Sequence, residues 1–118
     1  TGIRVPLSSP SARRVENRLA GMDSNPHLCI AASLACGYLG IKNEIWPDKQ
    51  FKGDAYEGET EIPRVMGDAL DLFEEATELH EVLGPEFARV YSIVKRSEYE
   101  EFLQVISPWE REHLLLNV

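Results

Sequence analysis

Cysteine is scarce in this sequence. Cys29 and Cys36 sit in an apolar run without ligand-like neighbours, and they read as a buried thiol pair in a reducing compartment rather than a disulfide or a metal site. Histidine is equally thin. His27, His80 and His113 lie far apart and form no HxxxH pair, so no zinc-binding spacing is present. Long hydrophobic runs are missing as well. The stretch over residues 28–41 is too short to span a bilayer and is interrupted by Ser33, Gly37 and Tyr38. With no secretory leader read either, the cytoplasm is the expected setting, with no membrane partner. Positive charge is the minority: 12 Lys and Arg stand against 20 Asp and Glu, a net charge of -8. That balance argues against general binding to nucleic acid or anionic membrane.

What is present is an ordinary globular composition, 43% hydrophobic and 27% charged over 118 residues, which supports one domain with a modest core. The few cations are unevenly placed. Arg4, Arg13, Arg14 and Arg18 make the N-terminal end basic while the remainder is acidic. Clustered arginines suit phosphate or carboxylate. The opening TGIRVP reads as the middle of a strand, and the chain reads as cut from something longer.

Residues 3–7 form a strand candidate closed by the turn cluster Ser8-Ser9-Pro10-Ser11, and residues 13–19 form a second. Asn25 (or Ser24) supplies an N-cap and Pro26 a first-turn proline for a helix that ends near Gly40. That helix is apolar almost all round, which predicts a buried position. Residues 42–62 show no clean period and read as an exposed acidic excursion. From Met66 the helical period returns, with Met66, Ala69, Leu70 and Phe73 on one stripe and Asp68, Asp71, Glu74 and Glu75 opposite. A short helix over 77–83 ends at Gly84-Pro85. A long one follows to about Ile106, with Phe87, Val90, Tyr91, Val94, Phe102 and Leu103 as its expected inner face. Ser107-Pro108-Trp109-Glu110 reads as a capping box that starts a last helix. The expected class is α+β: two N-terminal strands from a larger antiparallel sheet, then about four to five helices.

The segment SARRVENR carries the chemistry. As a strand it lines up Arg14, Glu16 and Arg18 on one face, with Val15, Asn17 and Leu19 on the other. Val15 and Leu19 are expected to pack on the following helix. Asn17 is expected to be buried on that side and bonded to backbone near residues 22–25. A carboxylate between two guanidiniums has a bland reading as a surface ladder of ion pairs. It also has a sharp one as a phosphoryl-transfer wall, where Glu16 holds a divalent cation and the arginines neutralise phosphate and grip a carboxylate. Arg4 on the neighbouring strand could point into the same space.

The run GIRVP, then ARRVENRLAGMDSNPHLCIAASLACGYLGIKN, then EIP resembles the C-terminal part of the glutamine synthetase family catalytic domain, across essentially all of residues 1–118. The resemblance implies ATP-dependent joining of glutamate to an amine through a γ-glutamyl phosphate. It implies Glu16 as a ligand of Mg2+ or Mn2+, Arg18 as the residue that binds the glutamate carboxylate, and Arg14 and Arg4 beside the ATP phosphates. Arg14 and Arg18 are thereby the candidate catalytic pair. Ser11 stands where the family often carries a nucleotide-contacting lysine. Asn17 stands where ammonia-using bacterial enzymes usually carry valine, and SPWEREHLLLNV looks more like the γ-glutamylpolyamine synthetase branch, so ammonia and a larger amine both remain as substrate. Tyr56 falls where some bacterial relatives carry a regulatory adenylylated tyrosine, but GDAYEGET matches that site poorly and the residue reads as an exposed loop tyrosine. The resemblance further implies that the other metal ligands, a nucleotide-binding segment and a large homo-oligomeric ring belong to a longer parent, and that the isolated chain is inactive. The rival expectation is a stand-alone acidic helical interaction domain without catalysis.

Overall fold

The computed structural model describes residues 2–47, 53–54 and 62–116. Tyr56 lies outside the described residues. The backbone divides into two units, residues 1–60 and 61–118.

In the first unit, β1 (Ile3–Arg4) and β2 (Glu16–Asn17) form an antiparallel ribbon with Ile3 opposite Asn17 and Arg4 opposite Glu16. A 3-10 turn over Pro10–Ala12 lies between them. Both strands are shorter than the sequence pattern predicts. The ladder continues one bond further, from Arg18 N–H to the Gly2 carbonyl at 2.8 Å, and beyond that point side chains hold the segment.

Helix α1 (Pro26–Lys42) starts as its sequence dictates. The Asn25 side-chain oxygen accepts from the N–H groups of His27 (3.0 Å) and Leu28 (3.3 Å), which satisfies two donors that a helix start leaves open. Three expectations for this unit fail. First, α1 is not buried. Ala35 is its one buried residue, while Ile30, Leu34, Tyr38 and Ile41 are exposed. An all-apolar helix has no preferred face, and nothing else among the described residues of this unit covers most of it. Second, the thiols are not a buried pair, because Cys29 is half-buried and Cys36 exposed, both free. Third, Val15 and Leu19 are exposed rather than packed on α1. Leu19 folds over Gly2 instead, so closely that a Cβ at Gly2 would lie 2.4 Å from Leu19 Cδ2.

Among the described residues the second unit holds four helices: α2 (Met66–Glu75), α3 (Thr77–Leu83), α4 (Pro85–Leu103) and α5 (Pro108–His113). Gly84, at φ +98°, makes the turn between α3 and α4 in a region that L side chains rarely enter. Pro85 then opens α4 at a position where its missing N–H costs nothing. At α5 the capping box forms in full: Glu110 N–H donates to Ser107 Oγ (3.2 Å) and Ser107 N–H to Glu110 Oε2 (2.7 Å). Among the described residues no helix is long and apolar enough to cross a membrane.

Helix α4 packs on both α2 and α3. Leu70, Ala88 and Ser92 are the buried residues at this junction. The inner face of α4 is therefore Ala88, Tyr91, Ser92, Lys95 and Tyr99, spaced at three and four residues. Of the expected face only Tyr91 belongs to it. Val90 and Val94 remain exposed, because small Ala88 and Ser92 allow a close approach that the bulkier stripe would prevent. Asp71 and Glu74, opposite the apolar stripe as expected, stay exposed and bind Arg96 of α4. Arg96 contacts both carboxylates, with Nε and Nη2 each 3.0 Å from Glu74 oxygens, and Ser92 Oγ donates to Glu74 Oε1 at 2.5 Å. The Arg96 and Ser92 hydrogen bonds pull the Glu74 carboxyl down to about 2. His80 closes this corner, its ring tilted at 52° to that of Phe73 with centroids 4.8 Å apart, and bonded to the Phe73 carbonyl at 2.7 Å.

Candidate active site

The ribbon brings together Arg4, Arg14, Glu16 and Arg18. Glu16 sits at its centre with its side chain 23% exposed, and Arg4, Arg14 and Arg18 converge on it. Arg4 is directly opposite Glu16 in the ladder, and its Nε lies 3.0 Å from Glu16 Oε2. Arg14 reaches the other oxygen, Oε1, with Nε at 3.1 Å and Nη2 at 2.9 Å, while its Nη1 donates to the Ala12 carbonyl at 3.3 Å. Arg18 Nη2 makes the longest contact, 3.3 Å to Oε2. Residues 14, 16 and 18 share a face because strand side chains alternate. Arg4 joins them because residues opposite each other in an antiparallel pair project to the same side.

Partial desolvation alone would raise the Glu16 carboxyl. The Arg4 charge, the Arg14 hydrogen bond and the Arg14 and Arg18 charges outweigh it and hold the group below its ordinary value. Glu16 is thus a carboxylate. Three positive groups against one negative leave the cluster with two positive charges in excess, an anion-attracting spot on a chain of net charge -8. Each guanidinium is about half exposed, so the pairs are screened and individually weak, and free to exchange for an incoming anion. Among the described residues no three His, Cys, Asp or Glu gather around a common centre.

Arg13, on the opposite face, does not join the cluster. Sequence reasoning missed the support beneath the cluster. Asn17 Nδ2 donates to Ser33 Oγ on α1 at 3.0 Å, Ser33 Oγ donates to the Cys29 carbonyl at 2.8 Å, and Leu19 N–H donates to Asn17 Oδ1 at 3.0 Å. Asn17 does lie on the α1 side as expected, but it is exposed, and its partners are Ser33 and Leu19 rather than the loop at 22–25. The only signal in the sequence was a polar amide in an apolar slot of the strand pattern.

Residues 1–114 match the family described as glutamine synthetase, catalytic domain. Among curated proteins the chain is 35% identical over 111 residues to a glutamate–isopropylamine ligase of Pseudomonas sp, covering 91% of this chain and 24% of the relative. It is 35% identical over 119 residues to a glutamine synthetase of Archaeoglobus fulgidus, covering 92% and 24%. It is also 35% identical over 116 residues to the gamma-glutamylputrescine synthetase of Escherichia coli, covering 98% and 25%. The chain spans about a quarter of the length of these relatives. With its α+β order and its arginine-ringed glutamate, the chain belongs to the glutamine synthetase family and represents part of its catalytic domain.

Proposed function

We propose that the chain forms one wall of the active site of an ATP-dependent glutamate–amine ligase that works through a γ-glutamyl phosphate. In this reading Arg4 and Arg14 neutralise phosphate oxygens of ATP while the terminal phosphoryl group passes to the glutamate side chain. Charge on a transferring phosphoryl group is spread over its oxygens, and guanidiniums held in place beforehand stabilise it without reorganisation. Arg18 offers a planar pair of N–H donors to a glutamate carboxylate. The amine then attacks the acyl phosphate, phosphate leaves with the bonding electrons, and the amine gives up a proton as the amide forms. The observation that carries the reading is the convergence of Arg4, Arg14 and Arg18 on Glu16.

Glu16 fits one position of a magnesium or manganese site. It is an ionised oxygen donor, and magnesium is commonly held by one or two carboxylates together with substrate phosphates and water. One carboxylate is the share the described residues supply; bound there, the cation would neutralise phosphate charge. Identity is the same, 35%, to relatives named for isopropylamine, for glutamine and for putrescine, so ammonia and a larger amine both stand as the attacking group. A cytoplasmic setting, homo-oligomeric assembly and inactivity of the isolated chain belong to the same proposal.

The test uses protein expressed from the complete reading frame that contains this chain. Glu16→Gln keeps the shape and removes the charge; turnover should fall and the metal concentration for half-maximal rate should rise, with little change in unfolding temperature. Turnover and metal dependence at the level of the unmutated protein would remove Glu16 from the site.

A further inference from the structure

Arg18 makes the loosest contact with Glu16, yet the backbone that carries it is the most firmly tied part of the ribbon. The regular ladder ends at Asn17. Past that residue three separate contacts take over. Arg18 N–H donates to the Gly2 carbonyl at 2.8 Å. Leu19 N–H donates to Asn17 Oδ1 at 3.0 Å, closing a short side-chain loop around Arg18. The Leu19 side chain lies against Gly2, where a Cβ would come within 2.4 Å. The other end of the Asn17 amide, Nδ2, reaches Ser33 Oγ at 3.0 Å, and Ser33 is itself fixed to the Cys29 carbonyl at 2.8 Å. Both halves of the Asn17 amide are therefore used. One half holds the peptide that follows Arg18, and the other ties that peptide to α1.

We propose that Asn17 is a positioning residue for Arg18, fixing the backbone from which the guanidinium reaches a carboxylate. The inference rests on the proposed role of Arg18. The geometry explains why an amide occupies this slot. Valine or leucine would fill the space but would leave the Leu19 N–H without its acceptor and Ser33 without its donor. The N–H that follows the Arg18 side chain, that of Leu19, would no longer be held, and the bond from the Arg18 N–H to Gly2 would be left to fix the backbone without it. The alternation of the strand would still aim Arg18 to the correct face, but without a fixed depth.

Two experiments decide it. The first is on the 118-residue chain alone, by backbone amide exchange read by NMR. In the unmutated chain the Leu19 N–H, which donates to Asn17 Oδ1, and the Arg18 N–H, which donates to the Gly2 carbonyl, should both exchange slowly with water. In Asn17→Leu the Leu19 N–H, and with it the Arg18 N–H, should exchange faster, whereas Ser33→Ala, which cuts only the tie to α1, should leave both nearly unchanged. The second is steady-state kinetics of the complete protein. A misplacement of about 1 Å can cost about 10²-fold. Because Arg18 retains its bond to Gly2, Asn17→Leu should raise the glutamate KM by about tenfold with kcat largely kept, and Ser33→Ala should raise it much less at a comparable unfolding temperature. Unchanged exchange of the Leu19 and Arg18 N–H groups in Asn17→Leu overturns the proposal. So does a glutamate KM within twofold of the unmutated protein while Arg18→Lys raises it. If Arg18→Lys itself leaves the glutamate KM unchanged, the carboxylate role of Arg18 falls, and the NMR arm still decides whether Asn17 holds it.

Discussion

Leu70 and Leu72 stand two residues apart on α2, and replacing each by alanine separates its two sides. Leu70 is 5% exposed and Leu72 is 54% exposed. Leu70→Ala removes about three methylene-sized groups from the contact with α4, at about 0.8 kcal/mol each, or roughly 2.4 kcal/mol from transfer alone. A cavity adds to this, and buried Leu→Ala changes span about 2–5 kcal/mol. The neighbours here, Met66 at 39% exposure among them, can relax inward, so the total should stay near about 2–3 kcal/mol. At roughly 0.05–0.15 kcal/mol per residue, a unit of this size has only about 3–9 kcal/mol of stability. The loss is therefore a large share of it. Leu72→Ala should change stability by less than about 0.5 kcal/mol, as surface changes do. Urea unfolding of the 118-residue chain, followed by far-ultraviolet circular dichroism, measures both. Equal effects of the two substitutions, or a larger effect at Leu72, would refute the assigned packing of α2 on α4.

Glu74 predicts a pH dependence. Its folded value of about 2 lies below the ordinary 4.5, so in the interval between them the unfolded state binds a proton that the folded state does not, and stability falls as pH drops from about 5 towards 2. Glu74→Gln should flatten that slope relative to the unmutated chain in urea melts at several pH values; an identical slope would disprove the Arg96–Glu74 coupling. Ser107→Ala removes the acceptor of the Glu110 N–H and should destabilise α5 by about 0.5–2 kcal/mol, seen as faster amide exchange over residues 108–113 with α2 unaffected. Exposed apolar side chains on α1 and the open edges of the two-strand ribbon should make the isolated chain associate; a monomer by light scattering at high concentration would count against it. The same chain should form no amide from glutamate, ATP and ammonia or putrescine above background, and activity above background would overturn the part-of-a-site reading.

The helices of the second unit were legible because their signals are local. Proline and glycine mark the junction at Gly84-Pro85, and Ser107 with Glu110 writes the start of α5 in four letters. The inward face of α4 was not legible. The stripe that packs, with Ser92 and Lys95 in it, is less apolar than the one over Phe87, Val90 and Val94 that stays exposed, and the choice was made by the close approach that small Ala88 and Ser92 allow to α2 and α3. The cluster was readable in part. Strand alternation alone placed Arg14, Glu16 and Arg18 together, whereas the Arg4 contact depends on the register of the ribbon. The second anchor, from Asn17 to Ser33, joins residues sixteen apart, and no local pattern encodes such a pairing.

The paired residues of the ribbon are so few that the chain between them is free to vary in length. Arg4 and Glu16 meet across the ladder, and Arg14 is fixed within two residues of Glu16 by its own bonds. The intervening turn near Leu7 and Ser8 is fully open to water and carries none of these contacts. Closing a longer loop is inexpensive, about 0.6 kcal/mol for each doubling of its length. Residues inserted between Leu7 and Ser8 would therefore leave the charges where they are, which makes this turn a natural place for related sequences to differ in length and for an engineered reporter to be carried.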